Sequence, residues 1–121
     1  MIQWRKVQSA LEAKLLGIPY EAPFWLYTDR EDFPGFWAVF VEAERALFEA
    51  HWGGSGAPFF ALRFCQQALR EAERRFPGVG FFSHTPVYLP KALKMAKLLG
   101  FQAQRVNVIR GIPCLLVYRR L

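Results

Sequence analysis

The chain has 121 residues, which is enough for one domain with its own hydrophobic core and too few for two. Apolar residues form 53% of it and charged residues 21%, a balance that excludes wholesale disorder. The net charge of +6 favours anionic partners, such as nucleic acid, an acidic protein surface or a phosphorylated cofactor. The sequence has no apolar run long enough to span a membrane and no leader pattern, so we expect a cytoplasmic protein.

Two residue types stand out in the composition. Aromatic residues form 17% of the chain, so we expect some of them to line a ligand channel or a protein interface. The alternative is a core built from Phe instead of Leu and Ile. The only two cysteines, Cys65 and Cys114, lack metal-ligand spacing, which favours buried, reduced thiols and no metal site.

The N-terminal third of the chain predicts a strand, a helix and a second strand. Residues 2–7 form the first strand, and Ser9 is a suitable N-cap for a helix over about residues 10–16. Gly17 ends that helix. Aromatic residues dominate the second strand, at 24–28, and a polar loop follows it to a Pro-Gly turn.

Residues 36–52 permit two interpretations. Segments 36–41 and 46–52 can pair as a hairpin that turns at 42–45, although no Asn-Gly or Asp-Gly marks the turn. The same stretch contains good helix formers, with Phe36, Phe40 and others at helical spacing. We choose the hairpin, partly because of the resemblance described below. A continuous helix over 38–50 would remove the strand that leads into the following glycines.

The rest of the chain alternates helices and strands. We expect a glycine-rich turn at 53–56, a helix at 58–76 and a buried strand at 79–83. A lysine-rich helix at 90–99 and a terminal hairpin, with strands at 102–109 and 113–119, should follow. The lysines of the second helix, Lys91, Lys94 and Lys97, suit either an ordinary solvated face or contact with phosphates. The order predicts a single α/β (α+β) domain with one mixed sheet flanked by helices.

This order resembles the cofactor half of the GNAT-type N-acetyltransferases. The resemblance rests on residues 51–60, 79–83 and above all 92–101, where Ala92 stands eight positions before a Gly100-Phe101 pair, as is typical of that family. It covers about residues 36–121, and residues 1–35 match only as a compatible strand–helix–strand. Small divergent chains of this kind are similar in style to phage-encoded ones, which would place the protein in a host cytoplasm or a virion.

The resemblance implies an acetyl-CoA site at the glycine-rich bend. Glycines before a helix N-terminus expose backbone N–H groups, and these together with the helix dipole can hold a pyrophosphate. The residues concerned are Gly53, Gly54, Ser55, Gly56 and Ala57. The family's basic residue before the glycines is missing here, and Pro58 lacks an amide donor. The alternative is a tight strand-to-helix turn without a ligand.

The resemblance also places a catalytic base close to that bend. Glu49 and His51 lie on one face of the proposed strand that ends there. A base must reach the acceptor ammonium directly or through one water, and an unperturbed imidazole titrates near neutrality. The alternative for both residues is a partly exposed position at a strand end.

The usual acid of the family is missing from this sequence. Its tyrosine corresponds to Ala96 and its asparagine to Leu89. Tyr88 and His84, which precede the last helix, are the nearest substitutes, with helix capping or packing as the alternative. General acid assistance contributes about 10²–10⁴ in rate, so its loss would slow transfer without abolishing it.

The sequence is therefore compatible with three functions. The first is an acetyl-CoA-dependent N-acyltransferase that acts by direct transfer on an amine of a protein or small molecule. The second is an inactive GNAT-like domain with a structural or interaction role, such as a virion component or an inhibitor of a host protein. Such a domain could pair with a protein partner or a second copy through the aromatic surface around Trp25, Tyr27, Phe33, Phe36 and Trp37. A nucleic-acid-binding module, favoured by charge alone, is the weakest of the three.

Overall fold

One seven-stranded mixed sheet organises the computed structural model, which describes residues 2–120. The sheet order is β1-β2-β3-β4-β5-β7-β6, and every neighbouring pair is antiparallel except β4 and β5. The strands are β1 (Ile2–Val7), β2 (Phe24–Asp29), β3 (Phe36–Glu44), β4 (Leu47–Gly54), β5 (Gly80–Pro86), β6 (Gln102–Ile109) and β7 (Ile112–Arg119). The helices are α1 (Ala10–Leu15), α2 (Ala61–Arg75) and α3 (Pro90–Leu98). The predicted single α/β domain is confirmed.

The main core lies between the sheet and the two longer helices. The apolar stripe of α2 includes Phe64, Ala68 and Ala72, which follow one another at four-residue spacing and are fully buried. These residues share one cluster with Phe40 of β3 and Phe81 of β5. Each buried phenylalanine contributes about 1.5–3 kcal/mol relative to an exposed one, so this cluster is the principal source of stability.

A second, smaller core lies on the opposite face of the sheet. Val39 alternates with Phe40 along β3 and therefore points to the other side. It packs with Val7, Leu26 and Ala13, the last of which is the buried residue of α1. This face is consequently covered by α1 over the first three strands of the sheet.

Most of the aromatic residues belong to the main core. Trp4 stacks on Trp25 and Phe40 with ring centroids 5.8 and 5.6 Å apart, and the Arg75 guanidinium lies 5.3 Å from the centre of the Trp4 ring. Of the aromatic residues considered for an interaction surface, Tyr27 and Phe33 are buried and the others are half-buried. The aromatic share is therefore explained mainly by a Phe- and Trp-rich core.

The predicted hairpin over 36–52 is confirmed. β3 and β4 pair antiparallel from Phe36↔Gly54 to Glu44↔Leu47, with an irregularity between Glu42 and Glu44. The turn lies at residues 45–46, later than predicted, and Ala46 has a positive φ of 58°. Gly53 and Gly54 were expected in a turn but belong to β4, because they pair with Trp37 and Phe36.

Other element boundaries also differ from the prediction. Pro58–Phe60 form a single 3₁₀ turn, and α2 begins only at Ala61. β5 extends to Pro86 because it pairs with β7 as far as Cys114. Cys114 and Cys65 are buried free thiols, and burial raises the pKa of the Cys65 thiol to about 12.

Two structural findings concern membranes and metals. Among the helices of residues 2–120, none has the length and apolar character that crossing a membrane requires. Within the same residues, no group of three or more His, Cys, Asp or Glu side chains is placed to hold a metal ion.

Candidate active site

A cleft opens where β4 and β5 diverge. The two strands pair in parallel over only three residue pairs, from Leu47↔Gly80 to Glu49↔Phe82. Beyond these pairs β4 continues along β3 as far as Gly54, while β5 continues along β7. The space between them is about 240 Å³. Backbone N–H and C=O groups on the facing strand edges are thereby left without a neighbouring strand over this stretch.

Small side chains keep one end of the cleft open. Ala92 and Ala96 of α3 line it, together with Phe101 just beyond that helix. The Trp52 ring meets the Phe101 ring edge to face at 6.1 Å and forms part of the same wall. Ala96, which the resemblance aligned with the family's tyrosine, contributes only a methyl group to this wall.

Glu49 links the two histidines of the chain at the other side of the cleft. Its Oε1 lies 2.5 Å from Nε2 of His51, and its Oε2 lies 4.0 Å from Nδ1 of His84. The hydrogen bond from His51 lowers the pKa of Glu49 against the opposing effect of partial burial, and the charges of both histidines lower it further. Glu49 is therefore a carboxylate at neutral pH.

The contact with Glu49 determines which ring nitrogen of His51 carries the proton. A carboxylate can only accept, so Nε2–H of His51 donates to Glu49 and a neutral ring carries its lone pair on Nδ1. Tyr20, from the loop between α1 and β2, stacks on the imidazole with ring centroids 4.1 Å apart. Burial and the nearby Glu49 charge raise the pKa of Tyr20, so it remains a neutral phenol. The arrangement suits His51 to accept a proton and Glu49 to orient it.

The glycine-rich bend packs closely against the start of β3. The N–H of Ser55 donates to the Gly35 carbonyl oxygen at 2.8 Å. Gly54 has a φ of +117°, and a Cβ there would overlap the same oxygen. A Cβ on Gly56 would overlap the Phe36 ring. Backbone packing therefore requires a glycine at position 54, and contact with the Phe36 side chain favours one at position 56, whatever else the bend binds.

Tyr88 and His84 occupy different environments. Tyr88 lies in the turn before α3 with 62% of its surface exposed, and its neighbour Leu89 is the residue that lines the cleft. His84 lines the cleft and contacts Asn107 of β6, with Nε2 and Nδ2 3.3 Å apart. The structure thus brings His84, and not Tyr88, to Glu49 and His51.

Sequence reasoning missed two members of this cluster, Tyr20 and Asn107. Neither belongs to a motif, and each arrives from an element far from Glu49 in sequence. Tyr20 belongs to an irregular loop and Asn107 to the edge strand β6. Only the strand order, with β6 beyond β7, could have indicated that Asn107 lies near His84.

No protein-family model matches the sequence, and no curated protein matches it. Several solved structures do match. A chain named as a GnaT-family acetyltransferase from Bordetella pertussis has a TM-score of 0.64 and 19% identity, over 80% of this chain and 65% of that one. A chimera of spermidine N-acetyltransferase SpeG from Vibrio cholerae and hSSAT has a TM-score of 0.69 and 15% identity, over 98% and 95%.

A third match is AAC(6')-Ib in complex with Parmomycin and acetyl-CoA, with a TM-score of 0.68 and 10% identity over 98% of this chain and 93% of that one. At these identities the similarity concerns the fold. All three structures match the fold of this chain, with TM-scores between 0.64 and 0.69. The chain has the fold of the GNAT-type N-acetyltransferases.

Proposed function

We propose that the chain is an acetyl-CoA-dependent N-acyltransferase that transfers the acyl group directly to an amine of a small molecule or protein. The principal support is the cleft between β4 and β5, which has the Glu49–His51 pair at its side. Further support comes from the fold, because AAC(6')-Ib shares it and was solved with acetyl-CoA. We further propose that residues 36–121 form the cofactor-binding part of the domain.

The cleft offers polar partners for one part of the cofactor, and the bend offers partners for another. The pantetheine arm of coenzyme A is slender and carries amide groups, which match the strand-edge N–H and C=O groups of the cleft. For the pyrophosphate, we propose first the amides of Gly54, Gly56 and Ala57. The Gly53 amide ranks behind them, because strand alternation turns it toward Trp37 of β3. Ser55 would first have to release its hydrogen bond to the Gly35 carbonyl.

The chain's own residues would manage the protons of the reaction. When bound, the cofactor supplies a thioester whose C–S bond breaks as the acceptor nitrogen bonds to the carbonyl carbon. His51 accepts a proton of the acceptor ammonium at Nδ1, directly or through one water. Glu49 holds the opposite nitrogen and stabilises the positive imidazole that results.

The departing sulfur needs a proton, and this chain has two candidate donors. His84 lines the cleft and lies beside Glu49. Tyr88, the other candidate, is 62% exposed in the turn before α3 and is not among the residues that line the cleft. We therefore rank His84 first and Tyr88 second, with solvent as the remaining source.

Acetylation of simple amines tests this function. The protein is incubated with acetyl-CoA and a panel of primary amines, and both thiol release and acetylated amine are measured. H51Q should lower kcat/KM by about 10²–10⁴, the usual contribution of a general base. R70Q, on the exposed side of α2, serves as a control that should retain the wild-type rate. Unchanged turnover in H51Q would remove His51 from this role.

A second function is favoured by two observations. Ala96 replaces the acid of the resembled family, and the Ser55 amide is already bonded within the protein. Both suit a GNAT-like domain that has lost catalysis and acts as a structural or interaction protein. Under this alternative, acetyl-CoA at millimolar concentration would neither stabilise the fold nor release thiol.

A further inference from the structure

One half of the outer sheet face is not covered by α1. The face opposite α2 and α3 carries α1 over the first strands, where Val7, Ala13 and Val39 form the smaller core. Over β4, β5, β7 and β6 the same face instead holds a groove of about 720 Å³. This volume is within the usual range for small-molecule sites, about 300–1,000 Å³.

The groove has an apolar floor with few charges around it. Leu47, Phe82, Leu116 and Tyr118 supply the floor. The two side chains of opposite charge that line it are Glu44 and Arg105, so the lining itself has no strong net charge. A ligand that matches this lining needs a substantial apolar body.

The groove leads to the proposed base. His84 lines both the groove and the cleft between β4 and β5. Its Nδ1 lies 4.0 Å from Oε2 of Glu49, the carboxylate that holds His51. A cationic group at the His84 end of the groove is thus close to a negative charge, whereas the floor beyond it is apolar.

Given the proposed function, we propose that this groove holds the acceptor, and that the acceptor is a primary amine on an aromatic or branched apolar body in preference to a polyamine. A single ammonium at the His84 end is balanced by Glu49. Glu44 is the one carboxylate in the lining that could pair with a further ammonium of a polyamine, and Arg105 in the same lining opposes it. Any remaining ammonium would lie over Phe82 and Leu116 and lose water without gaining a partner. The specificity would then differ from that of SpeG, which is named for spermidine.

Binding can be measured without the cofactor, by NMR titration of the labelled protein with phenylethylamine and, separately, with spermidine. Phenylethylamine should shift the side-chain resonances of Phe82, Leu116 and Tyr118 and bind more tightly than spermidine. L116K should weaken this binding about tenfold, because it places an unpaired ammonium in the floor. V108K is the matched control: it adds the same charge on β6 at a 70% exposed position that alternates away from the groove, and it should bind as wild type.

The comparison of the two amines on wild-type protein decides the proposal even where L116K does not fold. Tighter binding of spermidine, or phenylethylamine shifts confined to residues outside the groove, would overturn it. Shifts of the groove resonances with protein concentration alone would also overturn it, since a second copy would then cover this face. Because no cofactor is present, these results are independent of whether acetyl transfer is observed.

Discussion

At the scale of single residues, Glu49 is the side chain on which the site depends. It accepts a hydrogen bond from His51 and lies beside His84, and its pKa is lowered in the folded protein. The ordinary pKa of a Glu side chain is 4.5, so the folded state binds the carboxyl proton of Glu49 less readily than the unfolded state does. The stability that ionised Glu49 adds is complete when the pH is above its ordinary, unfolded-state pKa. It is lost as the pH falls through the lower pKa of the folded state.

E49Q tests this linkage. At about pH 6 the variant should unfold about 1 kcal/mol more easily, because a charge-assisted hydrogen bond at a partly exposed site is lost. Wild type should then lose more stability than E49Q between about pH 6 and about pH 3, as measured by urea unfolding. Equal losses in both proteins would show that the Glu49 pKa is not lowered by folding.

The sequence predicted part of this cluster. Strand alternation placed Glu49 and His51 on one face, and their contact confirms that placement. The approach of His84 depends on the parallel register Glu49↔Phe82, which no local pattern encodes. Tyr20 could not be predicted because it comes from an irregular loop whose path is set by packing on His51 and Trp37.

At the scale of elements, the β3–β4 hairpin and its glycine-rich end position the site. Local propensity left helix and hairpin open for residues 36–52, and long-range pairing with β2 and β5 decided for the hairpin. The assignment of Gly53 and Gly54 to a turn was wrong for a physical reason. Glycine marks close approach of backbone, which occurs inside a strand as well as in a loop.

Substitution of Gly54 measures how much the close contact between the bend and the start of β3 contributes to the free energy of unfolding. G54A combines a positive φ with overlap of the Gly35 carbonyl oxygen, so it should cost about 2–4 kcal/mol of stability. G78A is the matched control, because Gly78 has a φ of +81° and open space around its Cβ position, and it should cost only about 1 kcal/mol. Similar losses for the two variants in urea unfolding would contradict the close contact between the bend and β3.

At the scale of the whole molecule, the sheet divides into two halves that meet at β4 and β5. The strand types and the single mixed sheet followed from the alternation of apolar patterns along the chain. The strand order could not be read from those patterns, nor could the point at which β4 and β5 part. Both are set by long-range contacts within the sheet and the core, and the divergence creates the cleft that is the principal support for the proposed function.

The most direct test of that function is the thermal shift produced by acetyl-CoA in wild type and in A92F. Ala92 lines the cleft, so a phenyl ring there should fill it, whereas K94F places the same ring on an exposed position of α3. A ligand at about 100 times its Kd stabilises the folded state by about 2.7 kcal/mol, which raises Tm by several degrees. We predict this rise for wild type and K94F and its loss in A92F. No rise in wild type at millimolar acetyl-CoA, or an equal rise in A92F, would contradict binding between β4 and β5.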